Sequence, residues 1–312
     1  MTLHPGARQY VDAVLAAPQI WEVSLEAARQ AVDDETLAVF GPVDEVARVD
    51  DRLVDGTIRV RVYRPESERP LPAVVYLHGG GWVVGSIESH DPVCRAIAAR
   101  TPSVVVSVDY RLAPEHPFPA AVEDAWRATE WAAGELEPAR LAVAGDSAGG
   151  NLAAVVAQRA RDRDLPLALQ VLIYPVTDFD LDSPGYAALG AGLNLTRAKM
   201  EWYWARYLAG ADGRRPEASP FRAADLRGVA PALVQVAEYD PLCHEGEQYA
   251  RALRRAGVPV RLTRYDGQIH GFVRLGALCG EDAAIALDEI ALCLRQDGDR
   301  LDLDQPVGAH EA

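Results

Sequence analysis

Long apolar runs are missing from this 312-residue chain. None approaches the ~20 residues that a membrane-spanning helix needs, so no membrane partner is expected. Positive charge is also short. The 31 Lys and Arg stand against 46 Asp and Glu, a formal net charge of −15 with His neutral. A polyphosphate partner requires a cationic footprint, so nucleic acid is not expected either. Cysteine is scarce and scattered: Cys94, Cys243, Cys279 and Cys293 form no C-x-x-C pair, and nothing has metal-ligand spacing. Free thiols in a reducing compartment, with no metal, are the simplest reading. The opening residues, Met1-Thr2-Leu3-His4-Pro5-Gly6, lack the basic and apolar regions of a secretory signal. The expected location is therefore cytoplasmic, and in that setting the glycosylation sequon Asn194-Leu195-Thr196 carries no meaning. What remains is an ordinary globular balance, 49% hydrophobic and 25% charged. The length suffices to bury a core without staples.

Periodicity organises the chain. Residues 1–45 read as helical. Residues 57–63 alternate as a half-exposed strand, and 73–77 and 104–108 are continuously apolar, as strands covered on both faces tend to be. A helix is expected over 119–135, a strand over 140–145, a helix over 148–161 and a strand over 167–174. The alternation resumes with strands at 232–237 and 260–265 and helices at 245–256 and 281–296. Such βαβ alternation predicts an α/β fold, a mostly parallel sheet with helices on both faces. Residues 178–228 break the pattern. A structureless loop of that length would be unusual, and the patch Trp202-Tyr203-Trp204-Ala205-Arg206-Tyr207-Leu208 predicts a helical insertion over one edge of the sheet. Residues 298–312 read as a frayed acidic tail.

The strongest chemical signal is Gly145-Asp146-Ser147-Ala148-Gly149-Gly150, a G-x-S-x-G placed between a strand and a helix. A sharp turn there exposes the serine and tolerates only small neighbours. It also aims the first N–H groups of the helix at the space above Ser147. A glycine-rich turn with a capping serine is the plainer alternative. A serine nucleophile needs a base, and the base needs an orienting carboxylate. Of the histidines after Ser147, His270 follows a predicted strand, His244 opens a helix and His310 lies in the tail. His270 is the expected base. Asp240, just past the strand at 232–237, is the expected acid, although Asp240-Pro241 could equally cap a helix; Glu238 and Asp266 also lie at strand ends. Leu77-His78-Gly79-Gly80-Gly81-Trp82 follows a buried strand. Its glycines can present N–H groups to a substrate, with Ala148 completing an oxyanion hole.

These stretches, with Asp109-Tyr110-Arg111-Leu112-Ala113-Pro114-Glu115, Asp240-Pro241-Leu242 and His270-Gly271-Phe272, make the chain resemble a known group. That group is the hormonesensitive-lipase-like branch of the α/β-hydrolases, the bacterial family IV esterases. The resemblance covers residues 40–297 and implies an α/β-hydrolase fold under a helical cap. It implies Ser147 as nucleophile, His270 as base, Asp240 as acid, and an oxyanion hole from Gly80, Gly81 and Ala148. It places residues 1–45 and the 178–228 insertion in the cap, and 46–177 with 229–297 in the catalytic domain. It makes His78, Asp146 and the 109–115 stretch supporting residues. Cys243 and His244 depart from it, standing where the family often has a basic then an acidic residue. Trp82 and Phe272 are expected as pocket walls.

The expected activity is hydrolysis of small-molecule carboxylic esters with short- to medium-length acyl groups, without a cofactor, by a monomer or homodimer. An amidase, lactonase or deacetylase would use the same triad. A non-catalytic receptor would be expected to have lost one of these groups.

Overall fold

The computed structural model describes residues 2–296; the tail expected at 298–312 lies outside them. The chain opens with two helices, α1 (Pro5–Ala16) and α2 (Leu25–Phe40). The sheet-bearing body follows as β1 (Arg48–Val54), β2 (Ile58–Arg64), β3 (Ala73–Leu77), α3 (Ile87–Arg100), β4 (Val104–Val108), α4 (Ala120–Leu136), β5 (Leu141–Asp146), α5 (Ala148–Asp162) and β6 (Leu169–Ile173). Next come α6 (Pro184–Leu189) and α7 (Arg197–Leu208), and then β7 (Ala232–Tyr239), α8 (Cys243–Arg255), β8 (Val260–Ile269) and α9 (Gly276–Arg295). Side-chain caps start several helices. Ser24 Oγ accepts from the Ala27 N–H at 3.1 Å, and Ser86 and Ser89 cap each other reciprocally at the head of α3. Such caps stabilise by about 1 kcal/mol each.

The strands form one sheet in the order β1-β2-β4-β3-β5-β6-β7-β8. β1 and β2 run antiparallel to their neighbours, while every pairing from β4 to β8 is parallel. Alternate side chains of each strand enter different cores, as the pleat requires. Val75, Leu77 and Val143 join the core under α4, α5 and α8; Val74, Tyr76 and Ala144 join the one under α3 and α9. Burial on both faces is why β3 reads as an unbroken apolar run and β4, β5 and β6 as predominantly apolar ones.

Two elements escaped sequence reasoning. β1, Arg-Val-Asp-Asp-Arg-Leu-Val, is an exposed edge strand whose charges answer the arginines of β2 across the ladder, so it offers little apolar alternation. α3 is buried along most of its length and contains Pro92, which obscures the helical stripe. β8 also runs four residues beyond the expected end at 265. Its pairing with β7 is irregular between Ala237 and Tyr239 and resumes at Ile269, bringing His270 directly to the end of the strand. The parallel arrangement places the loops after β3, β5, β7 and β8 along one edge of the sheet, where ligands of open α/β sheets are taken up.

Candidate active site

Ser147 is the residue between β5 and α5. Its backbone has φ 55° and ψ −117°, a left-handed conformation that strains a residue with a Cβ. The strain is held by the Ser147 N–H donating to the Ile173 carbonyl at 2.8 Å, and by its carbonyl accepting from Asn151 and Val176. The glycines on either side are needed for close approach. A Cβ on Gly145 would strike the Gly149 carbonyl, and one on Gly149 the Leu77 carbonyl, so strand, turn and helix pack backbone to backbone.

His270 Nε2 lies 2.9 Å from Ser147 Oγ, and His270 Nδ1 lies 2.7 Å from Asp240 Oδ2. An ionised carboxylate only accepts, so Nδ1 carries the proton and Nε2 is left to accept from the serine hydroxyl. Asp240 is fully buried at the end of β7, and its other oxygen accepts from the Leu242 N–H at 2.9 Å. The alternatives fall elsewhere. Glu238 accepts from the Gly267 N–H, and Asp266 pairs with Arg264. His244 Nε2 faces Gln248 at 3.4 Å. The Cys243 thiol is pushed up to about 12 by burial and the nearby carboxylates, which keeps it protonated.

The glycine loop after β3 lies beside this group. Gly80, Gly81 and Ser147 line one cavity. Among the described residues, the N–H groups of Gly80, Gly81 and Ala148 donate to no protein acceptor. Gly81 has φ 60°, and a Cβ there would enter the Tyr203 ring. Below the loop, Asp146 Oδ1 accepts from the Gly79 N–H and the Tyr76 hydroxyl, both at 2.9 Å, and stands 3.2 Å from His90 Nε2. Burial acts to raise the Asp146 carboxyl, but His90, Arg274 and Tyr76 overcome it and hold the group well below the usual carboxylate range. His78 donates from Nδ1 to the Gly79 carbonyl at 2.8 Å and stacks on Tyr110, whose hydroxyl donates to the His78 carbonyl. Burial, helped by His90, lowers His78 to about 3, so its ring is neutral. From the 109–115 stretch, the Ala113 N–H donates to the Trp82 carbonyl, and Glu115 receives Arg29 of α2. Arg29 Nε also donates to the Val83 carbonyl at 2.9 Å, tying α2 to the glycine loop.

The cavity measures about 410 Å³ and runs from Ser147 and His270 up to α1, α2 and α7. Its walls correct one expectation. Trp82 and Phe272 are fully buried and do not line it. Trp82 turns back from the loop to stack on Tyr207 at 4.1 Å and meet Trp204 at 4.5 Å. Phe272 packs on the other side, against Tyr265 and Tyr174. Large aromatics beside a flexible turn here anchor it instead of facing substrate. The walls include Val14, Ile20, Val32 and Met200, which no motif marks, and Tyr203 from the aromatic patch of α7. Sequence reasoning also missed Asn194, read only as a sequon. Its Nδ2 donates to the His270 carbonyl at 2.8 Å and steadies the end of β8. Among the described residues, no group of three or more His, Cys, Asp and Glu side chains could hold a metal, and no helix is long and apolar enough to cross a membrane.

A serine on a strained strand-to-helix turn, under a parallel α/β sheet's carboxyl edge, defines the α/β-hydrolase class. A family model described as alpha/beta hydrolase fold matches residues 74–274. The chain belongs to that family, within its hormone-sensitive-lipase-like branch. A carboxylic ester hydrolase of Mycobacterium tuberculosis, LipN, is 46% identical over 255 residues, 77% of this chain and 67% of that protein. An ethyl acetate hydrolase of Pseudomonas putida is 39% identical over 302 residues, 90% of this chain and 95% of its own length. Among solved structures, the hyperthermophilic esterase of the archaeon Pyrobaculum calidifontis superposes with a TM-score of 0.87 at 42% identity, covering 94% of this chain and 98% of that one.

Proposed function

We propose that this chain is a carboxylesterase that cleaves esters with short- to medium-length acyl groups by way of an acyl-enzyme on Ser147. The observation that carries the reading is the continuous relay Asp240–His270–Ser147, at 2.7 and 2.9 Å, on the floor of the cavity. The names of the relatives support the bond type. In the first step the Ser147 hydroxyl proton passes to His270 Nε2 as Oγ bonds to the ester carbonyl carbon. Asp240 keeps the imidazole in the accepting tautomer and stabilises the imidazolium. The developing oxyanion is met by the N–H groups of Gly80, Gly81 and Ala148, each of which in such sites is worth about 10²–10³ in turnover. The alcohol then leaves with the proton from His270. Water attacks the acyl carbon, gives its proton to His270, and the acid departs as Ser147 regains a hydrogen.

The chain-length reading follows from the enclosure. Helices α1, α2 and α7 bound the cavity, so an acyl chain must fit beneath them. A panel of p-nitrophenyl esters from acetate to palmitate, with Ser147→Ala as blank, tests this. The expected maximum of kcat/KM falls at short to medium chains. Weak activity on those esters with strong activity on emulsified long-chain fats would contradict it.

A further inference from the structure

Arg274 ends the single turn Phe272–Arg274, four residues after His270, and lines the same cavity as Ser147. Phe272 and Val273 are buried in the core on the other side of that turn, which leaves Arg274 directed toward α2 and the cavity. Its Nη2 reaches Thr36 Oγ1 at 3.4 Å, a long contact, and its Nε is buried with no acceptor among the described residues. No carboxylate lies within 4.0 Å of its guanidinium among those residues. By contrast, Arg29, Arg61, Arg111 and Arg159, which also pack against the body, each meet an acid. A guanidinium stays charged, and its planar fork matches a carboxylate. Leaving such a donor buried and unpaired is costly.

The carboxylates at the cavity, Glu35 and Asp146, have their hydrogen bonds elsewhere. Glu35 takes the Tyr10 hydroxyl at 3.4 Å and acts on Lys199, raising an ammonium that burial lowers. Lys199 Nζ donates to the Asn194 carbonyl at 2.8 Å. Asp146 feels the Arg274 charge, but the hydrogen bonds it accepts come from Tyr76, Gly79 and His90.

We infer that Arg274 anchors an anion subsite within the cavity, so that the preferred substrates are esters carrying a free carboxylate, an inference that rests on the esterase reading above. The carboxylate can sit on the acyl side, as in a hemi-ester of a short dicarboxylic acid, or on the alcohol side, as in an acyloxy acid. Both place an anion a few bonds from the scissile carbonyl.

The test compares kcat/KM by pH-stat titration for isosteric pairs. Monoethyl succinate, glutarate and adipate are set against the same esters with the free carboxyl as a primary amide, and 4-acetoxybutyrate against 4-acetoxybutyramide. Wild type is expected to prefer the acid in at least one arm by about tenfold or more, and that arm identifies the side. In Arg274→Gln the acid-to-amide ratio should fall on the order of 10- to 100-fold, while Arg274→Lys keeps part of it. Equal losses on acid and amide would make Arg274 only a strap to α2 and overturn the inference. So would a wild type that cleaves the amides as well as the acids in every arm, a result that needs no variant to fold. A wild type inactive on all of these and on ethyl acetate would instead overturn the esterase reading.

Discussion

On the sheet side of the cavity, Ser147, His270 and Asp240 are tied by hydrogen bonds to one another and to the strand ends that carry them. On the helix side, Val14, Ile20, Val32 and Met200 meet the cavity with apolar side chains that could be exchanged without disturbing any hydrogen bond. The floor is fixed by hydrogen-bond geometry, whereas these four wall residues, its roof, contribute only volume. On the proposed reading, reactivity belongs to the floor and chain-length selectivity to the helices; Asn194 joins the two through the His270 carbonyl, and Arg274 enters the cavity from the turn after β8.

That division implies effects of graded size. The largest belongs to Asp240→Asn, which keeps the shape but favours the wrong imidazole tautomer. Turnover should fall about 10⁴-fold in kcat with the melting temperature little changed. The next lies beneath the floor. His78 is held neutral, its folded value lowered to about 3 against an ordinary 6.5. The unfolded chain binds the extra proton first, so this contribution to stability is present above pH ~6.5 and is lost as pH falls toward 3. The loss should approach about 1.4 kcal/mol per pH unit within that window. Urea unfolding between pH 7 and 4 measures it, and His78→Gln should flatten the slope. On the roof, Val14→Trp should cut kcat/KM for octanoate esters roughly tenfold more than for acetate esters, because one side chain removes space and no donor. Smallest is Asn194→Ala, which frees the His270 carbonyl; a loss of about fivefold in kcat, with KM near wild type, would match one neutral hydrogen bond.

The same contrast decides what could be read from residues alone. The tight backbone approach around Ser147 admits only glycine at positions 145 and 149, so the turn leaves a fixed mark in the sequence. The doubly covered strands leave another, because burial on both faces favours predominantly apolar runs. β1 left none: its stability comes from ion pairs across an exposed ladder, and its residues resemble a loop's. α3 hid its helix behind Pro92 and near-complete burial. The roof was illegible for a different reason. Which helical side chains face a cavity depends on how α1, α2 and α7 dock, and docking leaves no motif. Trp82 and Phe272 were misjudged on that account, since proximity in sequence to the glycine loop and to His270 says nothing of the direction of a ring. Asn194 was missed because its partner, the His270 carbonyl, lies 76 residues away in the chain.

Covalent labelling with a fluorophosphonate asks most directly whether the floor holds an activated serine. Intact-mass analysis should find one adduct per wild-type chain, located by peptide mapping at residue 147. It should find none in Ser147→Ala and a much slower reaction in His270→Ala. A folded wild type that stays unmodified at reagent concentrations labelling other serine hydrolases, or an adduct that persists in Ser147→Ala, would show that the hydroxyl at the turn is not the nucleophile.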